Sequence, residues 1–129
     1  MACVDTPLTN NVAVRIRRVV SISGVHDLRP LLLHSMNRDL GLNAESAKAE
    51  SPALLAPGTG ADVIAWVGAA ERPEFLRQSS LLTEAWRLKG AHTRLVVEAD
   101  RHHFNVIEGL SDAEHPLCLT LAEAGQGVS

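Results

Sequence analysis

The run VGAAERPEFLRQS, residues 67–79, shares its first valine with the apolar run VIAWV, residues 63–67, and the join between them decides the fold. Five apolar residues with no polar alternation suit a strand buried on both faces, as in a parallel sheet covered by helices on both sides. Pro73 then fits the first turn of a helix, where its missing N–H costs nothing. Beyond it Phe75, Ser79, Leu82 and Trp86 share one stripe, with Leu81, Ala85 and Leu88 beside it. That spacing predicts an amphipathic helix over Pro73 to Lys89, stopped by Gly90. The join also leaves Glu71 and Glu74 at the end of a strand. They are either solvated charges favoured by the helix dipole or a carboxylate held there for chemistry.

Working outward, RRVVSIS (17–23), closed by Gly24, reads as an earlier buried strand, and TRLVVE (93–98) as a later one. Between the first two strands, Asp27 is placed to cap a short helix through Leu31, Leu32 and Leu33. Asn43 is placed to cap another over Ala44 to Glu50, before Ser51-Pro52 forces an extended backbone. After the third strand come the loop ADRHHF (99–104), a helical stretch over Asn105 to Leu110, and a helix opened by Pro116 and running through Leu121. The alternation predicts one α/β domain over residues 1–129, with about three parallel strands flanked by helices. Residues 1–16 form an irregular lead-in and 122–129 a frayed tail. Three strands are few for such a sheet, so the chain is expected to be part of a larger sheet or of an oligomer.

Composition narrows the partners. With 46% hydrophobic residues, 21% charged and a formal charge of -3, the chain can bury a core and has no electrostatic case for nucleic acid. Cys3 and Cys118 lie far apart without CxxC spacing, and no amino-terminal leader pattern or apolar run of membrane-spanning length is present. A reduced, cytoplasmic location is the expectation. The six histidines show no HxH or HExxH spacing, so no metal is expected.

In open α/β sheets, ligands and catalytic groups gather at the carboxyl ends of the strands. Three loops qualify: Gly24 to Arg29, Gly68 to Glu74 and Ala99 to Phe104. The second offers Glu71 and Glu74, the third His102 and His103. An acid and an imidazole could therefore meet above neighbouring strands, the acid fixing the ring's tautomer and the ring acting as a general base.

The segments SGVHDLRPLL (23–32), ESPALLAP (50–57), VGAAERPEFLRQS (67–79) and RHHFNVIEGL (101–110) resemble, in order, the carboxyl-terminal half of an α/β-hydrolase of the esterase and kynurenine formamidase (arylformamidase) branch. The resemblance covers roughly residues 17 to 121. It implies that Glu71 is the triad acid, where Asp is commoner, and that His103 is the histidine, with His102 a second candidate. It also implies hydrolysis of a carboxylic ester or aryl formamide through a serine acyl-enzyme, a chemistry that needs no cofactor. Two family parts are absent from these 129 residues: the GxSxG nucleophile elbow and the HGG-type oxyanion loop. Ser23 is no substitute for the nucleophile, because it ends a different strand and lacks the glycine two residues before it. The chain alone is expected to be inactive. The alternatives are a non-catalytic module pairing through its sheet edge with itself or with a separate amino-terminal half, and a flavodoxin-like ligand-binding domain.

Overall fold

The computed structural model describes residues 3, 8–13, 15–58 and 60–123. In chain order it contains helix α1 (Asn10–Ala13), strand β1 (Arg18–Ile22), a 3₁₀ turn (Arg29–Leu33), helices α2 (Asn37–Leu40) and α3 (Ala44–Ala49), and a second 3₁₀ turn (Pro52–Leu54). Strand β2 (Asp62–Gly68), helix α4 (Pro73–Leu88), strand β3 (His92–Glu98), a third 3₁₀ turn (Val106–Ser111) and helix α5 (Pro116–Glu123) follow. The strands form one parallel sheet in the order β1-β2-β3. The fold class is α/β, three parallel strands flanked by helices.

The unbroken apolar run of β2 makes it the centre. Every residue from Val63 to Gly68 is buried, and the period of two splits the side chains between two cores. Val63 packs with Leu82 and Trp86 of α4 and with Ala53. Ile64 and Trp66 pack on the other face with Val106 and Leu117, flanked by Val20, Ile22 and Val96. The Trp86 indole N–H reaches the Pro52 carbonyl at 2.8 Å, tying α4 to the segment before β2.

Local expectations hold in most places and shift in two. Asn43 caps α3 with a full capping box, exchanging bonds with Ser46. Asp27 does not cap a helix as expected. The turn starts at Arg29 with Leu28 in the cap position, and Asp27 Oδ1 accepts from the Arg29 N–H at 3.0 Å while its carboxylate pairs with the Arg29 guanidinium at 2.7 Å. The second shift is Leu88, assigned to the apolar face of α4 but 74% exposed. It lies in the helix's last turn, about 200° around from Trp86 at 100° per residue, and no neighbouring element covers it there. The expected stop holds, with Gly90 at φ +88°. Of the lead-in, Cys3 bridges Pro57, while residues 1–2, 4–7 and 14 lie outside the described residues. The predicted frayed tail falls at 124–129 outside them too, although α5 continues to Glu123. Among the described residues no helix is long and apolar enough to cross a membrane.

Candidate active site

Parallel strands bring their three carboxyl ends to one edge of the sheet, and each supplies one side chain to a single cluster. At the end of β1, Ser23 continues the ladder with its N–H on the Trp66 carbonyl (2.8 Å). Its backbone then turns left-handed, with φ +51°. At the end of β2, Gly68 opens a tight turn in which the Glu71 N–H returns to the Gly68 carbonyl at 3.1 Å. Arg72 is extended (φ −60°, ψ 146°), as a residue before proline must be, and Pro73 starts α4. Past β3, the loop carrying His102 and His103 is pinned to the β2 loop by two backbone bonds, Ala69 N–H to Glu98 (2.8 Å) and Ala70 N–H to Arg101 (2.9 Å). A side chain on Gly68 would overlap the Arg101 carbonyl, so glycine is required for the loops to meet.

Glu71 is buried, 6% exposed, and its two carboxylate oxygens have different partners. Oε2 accepts from the Ser23 hydroxyl at 2.5 Å and from the Gly68 N–H at 2.7 Å. Oε1 faces His103 Nδ1 at 2.9 Å. Burial pushes this carboxyl group up, but the bonds from Ser23, Gly68 and His103 together outweigh it and hold the acid below its ordinary range. An ionised carboxylate can only accept, so His103 Nδ1 carries the proton. Its Nε2 has no partner among the described residues, and the side chain is 42% exposed.

Phe75 of α4 stacks on the imidazole with ring centroids 4.4 Å apart and planes 25° apart, and Phe104 meets it edge-on at 5.6 Å. These rings and Arg72 border a cleft of about 320 Å³ against which His103 lies. The arrangement can hold a proton on Nδ1 while presenting a basic Nε2 to a neighbouring hydroxyl.

The other candidates fall elsewhere. His102 accepts from the Phe104 N–H at 3.1 Å and packs edge-on to that ring, away from Glu71. Glu74 is half exposed. Its bonds to Arg77 and Gln78 hold its carboxyl group at about 2. His115 meets Glu98 at 2.6 Å, a pairing that spacing did not suggest. Both its nitrogens are committed, because Nδ1 accepts from the Leu117 N–H. His26 lies 3.2 Å from the Ser21 hydroxyl, is held to about 4 by burial, and has no carboxylate on its ring among the described residues. A larger cavity of about 390 Å³ sits at the opposite ends of the strands, where His92 is 3.8 Å from Asp62, too far for a hydrogen bond.

Sequence reasoning dismissed Ser23 as a nucleophile. Its hydroxyl does lie on Glu71 and not on His103 Nε2, where a nucleophile would have to be. The contact Ser23 does make is not visible in the sequence pattern; the available signal is a buried carboxylate's need for donors from an adjacent strand end. Phe75 was read as core and is also the platform under the imidazole.

A crystal structure of a Silicibacter sp. protein provisionally classed as a thioesterase matches 89% of this chain at 46% identity and a TM-score of 0.79, using 42% of that protein. Kynurenine formamidase of Salmo salar is 30% identical over 113 residues, 83% of this chain, and that of Danio rerio 28% identical over 112 residues. The chain has the fold of a partial α/β-hydrolase and is similar to the esterase and arylformamidase branch. No protein-family model matches it. Esterase 2 of Thermogutta terrifontis, 15% identical over 95% of this chain with a TM-score of 0.56, shares the fold. The chain spans 38% of the length of the two fish formamidases.

Proposed function

We propose that the chain carries the acid and base of a serine hydrolase site for carboxylic esters or aryl formamides, Glu71 being the acid and His103 the base. The supporting observation is the 2.9 Å bond between buried Glu71 and His103 Nδ1, with Nε2 without a partner among the described residues. In this reading Nε2 takes the proton of a serine hydroxyl as its oxygen attacks the substrate carbonyl. The imidazolium, stabilised by Glu71, then returns that proton to the leaving alcohol or arylamine. Water attacks the acyl-enzyme in the second half, again through His103, releasing the carboxylic acid or formate. The serine belongs to a GxSxG elbow that these 129 residues do not contain, so it comes from a segment outside them, and the chain by itself does not turn over.

The test is a chimera in which this chain replaces the matching part of the Silicibacter protein, assayed with p-nitrophenyl butyrate and N-formylaniline. The chimera should be active, and His103→Ala should lower kcat by about 10²–10⁴. A folded chimera whose turnover ignores His103, or His103-dependent turnover by the chain alone, defeats the reading. A second reading, a non-catalytic module pairing through its sheet edge with itself or with a separate segment, is favoured by the outer edges of β1 and β3, which pair with no strand among the described residues.

A further inference from the structure

We infer that Ser23 is a positioning residue for Glu71: its hydroxyl fixes the carboxylate so that Oε1, and not Oε2, is offered to His103. The inference rests on Glu71 being the acid of the site. Three observations carry it.

First, the bond is the shortest that Glu71 makes, at 2.5 Å, and both residues are buried, so water does not compete for it. Second, Ser23 reaches Glu71 from a left-handed backbone at φ +51°, a conformation that is strained for a non-glycine residue. Glycine would take that turn freely, yet serine stands there and spends its hydroxyl on the carboxylate. Third, the two oxygens are divided without overlap. Ser23 and the Gly68 N–H hold Oε2 from two strand ends, which leaves one rotational setting of the carboxylate in which Oε1 meets Nδ1. With Oε2 held by Gly68 alone, the carboxylate could swing about that single bond and the imidazole would lose its fixed partner. His103 is the titratable side chain that faces Glu71, and Ser23 and Gly68 supply the neutral donors.

The experiment uses the 129-residue chain and needs no turnover. Ser23→Gly removes the hydroxyl and relieves the backbone, Ser23→Ala removes it and keeps the strain, and Ser23→Thr retains it. The Glu71 carboxyl carbon and the His103 ring nitrogens are followed by NMR as pH is varied. Both hydroxyl-free variants should move the Glu71 midpoint up toward the ordinary carboxylate range and broaden or lose the His103 Nδ1–H resonance. Ser23→Thr should restore both signals toward wild type. Should Ser23→Gly fold with thermal stability at or above wild type and leave both signals unchanged, Ser23 is only part of the turn and the inference is overturned. In the chimera, Ser23→Gly should lower kcat with KM little changed. A chimera that proves inactive while the NMR effects persist would sink the hydrolase reading and leave the positioning bond standing.

Discussion

Glu71 exerts its effect through what it accepts. Replacing it with Ala strands three donors, the Ser23 hydroxyl, the Gly68 N–H and the His103 Nδ1–H, of which the first two are buried. Each buried donor left unpaired costs about 1–3 kcal/mol, so Glu71→Ala should lower unfolding free energy by a few kcal/mol in urea titrations, and a change within error would show the cluster to be loose. The pH dependence has a definite sign for two groups. Glu71 is more acidic folded than unfolded, so its contribution is present above the ordinary carboxylate value of 4.5 and fades as pH falls through its lower folded value. His26 is buried and held to about 4 against an ordinary 6.5, so the unfolded chain takes up its proton first. Stability is therefore complete above pH 6.5 and declines as pH falls from 6.5 toward 4, by roughly 2–3 kcal/mol. His26→Gln should flatten that window in a pH series of thermal melts, and an unchanged slope would count against it. The meeting of Glu71 and His103 was legible because both follow strands that the apolar runs identify. The contact of Ser23 was not, because a positive φ on a serine leaves no mark in the pattern of apolar residues.

At the scale of elements, the sheet and its long helix were readable for one reason: an apolar run of uniform character must be covered on both sides. Strand β2, helix α4 and strand β3 follow from VIAWV, Pro73 and Gly90 to within a residue or two. The segment between β1 and β2 was less legible, because its helices are short and its stability comes from specific bonds. Gln78 of α4 accepts from the His26 and Asp27 N–H groups at 2.9 and 2.8 Å and so anchors the loop after β1. Gly68 sits where two loops touch, and a methyl group there would meet the Arg101 carbonyl well inside contact distance. Gly68→Ala should therefore cost about 1–3 kcal/mol and push the His103 loop off Glu71. Calorimetry reads the first effect and loss of the His103 Nδ1–H signal the second; a stable variant with that signal intact would contradict the geometry.

Across the whole molecule, the central strand is closed in and the outer two are not. Leu95 and Val97 of β3 are partly exposed, at 38% and 47%, and β1 is nowhere fully buried. A parallel sheet with such margins should self-associate or bind a further strand, so size-exclusion chromatography across a concentration series should show growth in apparent mass. A single monomer peak at every concentration would argue that these margins are inert.

The order of the elements also bears on how the chain acquires its shape. Strand β2, helix α4 and strand β3 are consecutive, and the acid and the histidine lie 32 residues apart inside and just beyond that unit, whereas Ser23 lies 48 residues from its carboxylate. Closing the shorter loop loses less chain entropy, so the imidazole should find Glu71 before β1 docks. Mutations at Leu82 should then slow refolding, while Val20→Ala should mainly quicken unfolding; the opposite pattern would reverse that order.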